Sequence, residues 1–234
     1  DPSLAPSSWH GCTTVMMGNC GVGFAPVKPE ERDFLIGLME GVEDIPGAAL
    51  SEGIVWEWET FGEYLHALSK RHTSIDFGTQ LPHGALRAYV MGERGANNED
   101  ATAEDLAAMS TLVERAITAG AFGFSTSRTL LHKAIDGRHV PGTFAPKEEL
   151  WAIGRAASRA GAQVFQMACD HASVPDELAW MGELSNETGL RVMFNLSQID
   201  QAPELWRDVY RGLRTLNEGS GRARVSAQVA GRAI

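Results

Sequence analysis

The chain has 234 residues, of which 44% are hydrophobic and 21% are charged, and its formal net charge is −10 at pH 7. This composition is ordinary for a globular protein, and the length allows one sizeable core. The negative charge argues against nucleic acid and against an anionic membrane as partners. No apolar run approaches the roughly 20 residues that span a bilayer. We therefore expect a small molecule as the partner.

The cysteines give a further indication of the compartment. Cys12, Cys20 and Cys169 are odd in number and have no close pairing pattern. We interpret them as reduced thiols in a cytoplasmic protein. No signal peptide is recognisable. The chain begins with Asp1 rather than with Met, so the missing signal says little about location.

The first half of the chain mixes short apolar runs with helical patterns. Residues 13–17 are β-branched or apolar, which is typical of a fully buried strand in a parallel sheet. Thr60 followed by Glu63 predicts a capping box at the start of a helix. The other predicted elements are a helix over 29–39, a loop over 42–55, a helix over 61–71, strands over 74–81 and 86–91, a loop over 92–98, and a helix from Thr102 or Asp105 to Ala119.

From residue 120 onward, strand and helix patterns alternate, which predicts a parallel sheet with crossover helices. The strands are predicted at 122–127, 163–168, 191–198 and 225–229, and the helices at 146–160, 175–187 and 203–216. Residues 128–144 are the longest irregular stretch, and long loops in compact domains are usually functional or disordered. The total of about six or seven strands is short of the eight in a (β/α)8 barrel.

Five segments between residues 11 and 126 carry a family resemblance. They are GCTTVMMGNCGVGFAP (11–26), MEGVEDIP (39–46), WEWETFGEYL (56–65), HGALR (83–87) and GAFGFST (120–126). The first is similar to GVTTVVxGNCGxxxAP of the D-aminoacylase (N-acyl-D-amino-acid deacylase) family in the amidohydrolase superfamily, and the others match further segments of that family. The resemblance implies a TIM-like (β/α)8 amidohydrolase barrel, which is an α/β fold.

Family members also carry an His-x-His metal motif on an early strand and a late Asp ligand. No His-x-His occurs in this sequence. We therefore predict that residues 1–234 form a single domain, an incomplete barrel segment that lacks the N-terminal His-x-His strand and the C-terminal strands. An open barrel edge would leave strand groups unpaired, which predicts self-association.

The resemblance also implies a reaction. In the family a metal, usually zinc, activates a water that attacks the acyl carbon of an N-acyl-D-amino acid. The cysteine of the GNC segment is a metal ligand there, which makes Cys20 the candidate ligand here. A lone cysteine at a strand end is otherwise more often a small buried residue. Two family histidine ligands match Gln166 and Asn195, whose amide oxygens bind zinc poorly. The chain is thus expected to bind metal weakly, to use other ligands or to have no metal.

Further candidates lie near predicted strand ends. Asp170 and His171 follow the strand over 163–168, at the end of a barrel strand where acid/base residues occur. They could equally be turn and cap residues. His83 follows a predicted strand and is a candidate substrate contact, with a histidine bonded to turn carbonyls as the alternative.

The irregular stretch over 128–144 holds His132, Arg138 and His139. We predict substrate binding by Arg138 and His139, because an arginine there could hold a carboxylate through two hydrogen bonds. The alternative is a solvated loop. Glu43 and Asp44 recur in the family segment and are interpreted as structural, buried and paired.

The function predicted from these residues is metal-dependent hydrolysis of an amide C–N bond, similar to that of the N-acyl-D-amino acid deacylases. One alternative is a divergent amidohydrolase with an altered or lost metal site that acts on another amide. The other is a barrel fragment without catalytic activity.

Overall fold

The computed structural model describes residues 2–170, 173–219 and 223–229. Seven strands are found in these ranges, and every pair of neighbouring strands is parallel. The strands are β1 Thr14–Met17, β2 Asp76–Thr79, β3 Leu81–Pro82, β4 Gly123–Arg128, β5 Val164–Cys169, β6 Arg191–Asn195 and β7 Arg224–Gln228. They form a two-stranded sheet of β1 and β2 and a five-stranded sheet in the order β3-β4-β5-β6-β7. The described strands therefore follow a barrel-like course without closing.

Helices connect the strands. They are α1 Arg32–Glu43, α2 Gly47–Gly53, α3 Phe61–Ser69, α4 His83–Met91, α5 Glu93–Ala96, α6 Ala103–Ala119, α7 Lys147–Arg159, α8 Val174–Thr188 and α9 Leu205–Glu218. The strand and helix alternation predicted from residue 120 onward is confirmed. Among the described residues, no helix has both the length and the apolar character needed to cross a membrane.

The predicted capping box is also confirmed. The Thr60 hydroxyl accepts a hydrogen bond from the Glu63 backbone N–H at 3.2 Å, and the Glu63 carboxylate accepts one from the Thr60 backbone N–H at 2.8 Å. Thr102 and Asp105 form the same reciprocal pair at the start of α6. Both helices begin where their sequence satisfies two otherwise unpaired N–H groups.

Several predictions for the first half are wrong. The strand predicted over 86–91 is part of helix α4, and the predicted loops over 42–55 and 92–98 contain α2 and α5. The strand predicted over 74–81 is divided at Gln80 into β2, which pairs with β1, and β3, which pairs with β4. The error at α4 arises because this helix is buried on nearly all sides, and a short apolar run does not distinguish a buried helix from a buried strand.

The two faces of the larger sheet have different chemistry. Phe124 and Phe165 are register partners in β4 and β5, are fully buried, and lie in the main apolar core with helices α6 to α8. Because side chains alternate along a strand, the next register pair, Ser125 and Gln166, projects from the opposite face. The turn that follows β1 packs against this polar face.

Helix α1 contacts the irregular stretch over 129–144 through two glycines. The Gly37 carbonyl accepts a hydrogen bond from the Ile135 N–H at 3.0 Å. A Cβ atom placed on Gly41 would lie 2.2 Å from the Lys133 carbonyl oxygen, well inside contact distance. The close approach of the helix and the loop therefore depends on the absence of a side chain at position 41.

Candidate active site

The turn after β1 lies across β4 and β5. The Gly21 N–H donates to the Ser125 hydroxyl at 3.0 Å, and that hydroxyl donates to the Gly18 carbonyl. The backbone reaches this position through left-handed conformations, with φ of +75° at Gly18, +59° at Cys20 and +72° at Gly21. A positive φ is unusual for a residue other than glycine, so surrounding contacts must hold Cys20 in place.

Gln166 supplies such contacts. Its Oε1 accepts a hydrogen bond from the Cys20 N–H at 2.9 Å, and its side chain is also hydrogen-bonded to the Cys20 thiol. Burial raises the pKa of Cys20 to about 11, the charge of Glu43 acts in the same direction, and the bond from Gln166 opposes both. Cys20 is therefore a neutral thiol at pH 7. Glu43 and Asp44 are exposed at the end of α1, so the prediction that they are buried is wrong.

We expect Cys20 to react slowly with iodoacetamide at pH 8, because the thiolate is the reactive form and little of it exists well below a pKa of about 11. Cys12 is exposed and serves as the internal reference. Peptide mass spectrometry of a time course measures both rates. The rate at Cys20 should rise steeply between pH 8 and pH 10, and a rate at Cys20 equal to that at Cys12 at pH 8 would contradict the expectation.

The donors around Cys20 do not fit the zinc site that the resemblance implies. The Gln166 oxygen already accepts the Cys20 N–H, and the Asn195 Oδ1 accepts the Cys169 N–H at 2.9 Å. Both groups are amides, which are weak ligands for zinc compared with imidazole or thiolate. Within residues 2–170, 173–219 and 223–229, no three His, Cys, Asp or Glu side chains are grouped closely enough to hold a metal. A ligand role for Cys20 stays a prediction.

His83 belongs to a buried polar network. It begins helix α4 and does not lie in a turn between two strands. Its Nδ1 lies 2.8 Å from the Thr126 hydroxyl, and its Nε2 lies 2.7 Å from the Glu149 carboxylate. Arg87 donates to both oxygens of Glu149, at 2.5 and 2.6 Å. Both ring nitrogens of His83 are thus engaged within the chain, and its predicted role in substrate binding stays a prediction.

The protonation states follow from this geometry. Burial lowers the pKa of His83, and Arg87 adds to this effect, while Glu149 opposes it. Burial alone would raise the pKa of Glu149, but the hydrogen bonds from His83 and Arg87 and the charge of Arg87 outweigh it and lower that pKa to about 2. Neutral His83 therefore donates from Nε2 to the carboxylate, and its Nδ1 accepts from the Thr126 hydroxyl.

Arg138 and His139 contact residues other than those of the Cys20 turn. The Arg138 guanidinium binds Asp136, Glu93 and Asn97 and lies 5.0 Å from the Phe34 ring centroid. The His139 ring packs edge-on against Phe144 at a centroid distance of 5.3 Å. Cys20 contacts none of these partners. The structure therefore does not bring Cys20, Arg138 and His139 together. The substrate contacts of Arg138 and His139 stay predictions.

Asp170 lies at the carboxyl end of β5 and organises the start of the irregular loop. Its Oδ1 accepts hydrogen bonds from the Thr129 hydroxyl and from the Leu130 N–H, the latter at 3.1 Å. This is the turn role named as its alternative, and a catalytic role stays a prediction. His171 lies outside the described residues.

His132 lies on the irregular stretch over 129–144, and its sequence pattern predicts no specific role for it. Its Nδ1 lies 3.2 Å from the hydroxyl of Ser127, a fully buried residue of β4. Burial lowers the pKa of His132, while the charges of Glu43 and Asp170 oppose that effect. His132 therefore lies within the electrostatic influence of two carboxylates at the edge that holds Cys20. No spacing pattern along the chain identifies this group, because its members come from α1, β4, the loop and the end of β5.

Comparison with known proteins gives three related results. Residues 1–228 match the sequence model of the amidohydrolase family. The chain is 34% identical to a D-aminoacylase of Alcaligenes xylosoxydans xylosoxydans over 123 residues, which are 53% of this chain and 22% of that protein. It is 29% identical to an N-acyl-D-aspartate deacylase of the same organism over 149 residues, which are 64% of this chain and 25% of that protein. The chain thus spans about a quarter of the length of these relatives.

A solved structure gives the fold comparison. The N-acyl-D-glutamate deacylase of Bordetella bronchiseptica, determined with zinc and a phosphonate inhibitor, superposes with a TM-score of 0.73 at 23% identity. The superposition covers 99% of this chain and 44% of the deacylase. This result confirms the predicted TIM-like α/β barrel fold, which is open among the described strands. With the family match over residues 1–228 and the D-aminoacylase similarity, it shows that the chain belongs to the amidohydrolase family.

Proposed function

We propose that the protein containing this chain hydrolyses an amide C–N bond of an N-acyl amino acid. The observation that carries this proposal is the family match over residues 1–228. It is supported by the polar side chains at the carboxyl ends of parallel strands, which is the catalytic end of βα barrels. These side chains are Cys20, Ser127, His132, Asp170 and Asn195. Preference for the D configuration is proposed from the names of the relatives alone.

A second candidate is an amidohydrolase with an altered site that acts on another amide. The engagement of Gln166 and Asn195 with backbone N–H groups favours it, because these side chains stand where the resembling family has histidine ligands. We also propose that residues 1–234 form a barrel segment completed by further strands, since the relatives are about four times as long as the matched part.

The test is release of free amine by the full-length protein from a matched panel of N-acetyl-D-amino acids, their L enantiomers and simple anilides. Hydrolysis of the D series alone would support deacylase activity, and hydrolysis of the anilides alone would support the second candidate. No hydrolysis of any member would contradict both. Elemental analysis of the same sample, with at least one zinc per chain, would support the zinc dependence that the resemblance implies.

A further inference from the structure

Asn98, just beyond the end of helix α5, binds the irregular loop that follows β4. Its Nδ2 donates hydrogen bonds to the carbonyls of His139 and Val140, at 3.2 and 3.4 Å. Its Oδ1 accepts a hydrogen bond from the Gly142 N–H at 2.8 Å. One side-chain amide therefore binds three backbone groups of the loop segment 139–142, and its removal would release all three.

The backbone conformation at Asn98 limits which residues can do this. Its φ is +58°, in the left-handed region that asparagine, aspartate and glycine adopt at low cost. Of these three, asparagine is the one whose side chain carries both a donor and an acceptor at neutral pH. The residue type at this position therefore fits the set of three hydrogen bonds.

The segment 139–142 packs closely on the start of helix α4. A Cβ atom placed on Gly142 would collide with the ring of His83, the first residue of that helix. The loop backbone thus lies directly on the helix start, and its position there depends on the hydrogen bond that Asn98 makes to the Gly142 N–H.

The start of α4 in turn contacts the turn that carries Cys20. A Cβ atom placed on Gly84 would lie 3.5 Å from the Pro141 Cδ and 2.8 Å from the Gly21 carbonyl oxygen. The helix start is therefore in van der Waals reach of both the loop and the Cys20 turn.

Apolar side chains connect the same three segments. Val140 of the loop, Ala85 of α4 and Val22 of the turn belong to one buried cluster, and each is at most 4% exposed. Protein interiors are close-packed, so a displacement of one member is transmitted to the others.

We infer that Asn98 is a positioning residue, which holds the segment 139–142 on α4 and thereby fixes the turn that carries Cys20. The inference rests on the proposed amide hydrolysis, in which this turn lies at the catalytic end of the barrel. Asn98 acts through the backbone of Val140 and Gly142.

The test uses full-length protein and the variant Asn98→Gly, which keeps the left-handed backbone without strain and removes the amide. Alkylation of Cys20 by iodoacetamide at pH 8 is expected to become about 10-fold faster, because each lost hydrogen bond makes local opening more frequent. Peptide mass spectrometry measures this rate without any substrate. Cys169 is buried at the end of β5, and its rate should stay unchanged.

Kinetics on the amide that the panel identifies give the second measurement. In Asn98→Gly, kcat should fall about 10- to 100-fold, since a small displacement of a site has this cost. KM should stay within about threefold, because the lost contacts are not made to the substrate. Asn98→Asp keeps the acceptor for the Gly142 N–H and should recover part of kcat.

Asn186→Gly is the matched control. Asn186 is exposed in helix α8, so this variant also exchanges an asparagine for glycine and loses some helix stability. Its Cys20 alkylation rate and its kcat should equal those of the wild type.

The outcomes separate this inference from the proposed function. Faster alkylation confined to Cys20, with a lower kcat that Asn98→Asp partly restores, supports it. An unchanged Cys20 rate, an equal acceleration at Cys169, or a kcat retained within about threefold overturns it while amide hydrolysis stands. Wild-type protein that hydrolyses no amide contradicts the proposed function and, with it, the catalytic part of this inference.

Discussion

Glu149→Ala is expected to destabilise the protein by about 3 to 5 kcal/mol, the cost of breaking a buried ion pair by removing one partner. Arg87 is only 1% exposed, and it donates to both oxygens of Glu149. Its remaining bond, to the Glu99 carbonyl, does not neutralise the charge. The substitution would leave a buried guanidinium without a counter-ion, and the Nε2 of His83 without its acceptor.

Urea unfolding at pH 7 measures this loss, and Glu148→Ala is the matched control. Glu148 precedes Glu149 in the same helix but is exposed, so its removal should change the free energy of unfolding by less than about 0.5 kcal/mol. The double substitution Arg87→Met with Glu149→Leu should recover part of the stability, because apolar residues can replace a buried pair. A loss below about 1 kcal/mol in Glu149→Ala would show that the network contributes little.

The same pair predicts a pH dependence. The pKa of Glu149 is lowered to about 2 in the folded protein from an ordinary value of 4.5. A lowered carboxylate pKa contributes stability that is fully present above the unfolded value and is lost as pH falls toward the folded one. Wild-type stability should therefore decline between about pH 4.5 and pH 2. This part of the decline should be missing in Glu149→Ala.

Gly21→Ala is expected to lower kcat/KM for the amide substrate about 100-fold, since displacement of a site by about 1 Å can cost this much. A Cβ at this position would lie 2.8 Å from the Ser127 backbone nitrogen and 2.9 Å from the Thr126 Cα. These atoms belong to a central strand that cannot retreat, so the turn would move instead, together with Cys20. The left-handed φ of +72° adds about 1 to 2 kcal/mol of strain for alanine.

The variant Gly11→Ala introduces the backbone strain of a positive φ without displacing the turn that carries Cys20. Gly11 also has a positive φ, +82°, but a Cβ there would meet no atom of the described residues within 4 Å. This variant should lose stability and retain activity. Steady-state kinetics of the two variants, with thermal unfolding beside them, tests the comparison. Equal activities in both variants would show that the close contact of the turn with β4 is not needed for turnover.

The sequence predicted elements well where the local chemistry determines them. Thr60 and Glu63 satisfy each other at a helix start, and that start is confirmed. Helix α4 could not be distinguished in this way, because its burial is a tertiary property and its short apolar run fits two periodicities. The division of one predicted strand at Gln80 also depends on partners far away in the chain, since β2 pairs with β1 and β3 pairs with β4.

The candidate site could likewise be predicted from the sequence only in part. The GNC segment located the turn, and its glycines predicted a close backbone approach, which Gly21 makes to β4. The sequence did not predict that His83 would be enclosed by Thr126 and Glu149, or that His132 would meet Ser127. These partners are set by the register of β4 and by helix packing, and neither can be read from residue spacing alone.

The contact between Gly41 and the loop has a consequence for the distance between charges. Gly41 lies two residues before Glu43, and Lys133, whose carbonyl it accommodates, directly follows His132. The helix end that carries the carboxylate and the loop segment that carries the imidazole are thus held together by the close backbone approach at Gly41, next to the hydrogen bond between Ile135 and Gly37. A methyl group at position 41 would push the loop away from the helix and so separate the His132 imidazole from the Glu43 carboxylate. It would weaken the effect of the Glu43 charge on His132 without altering either side chain.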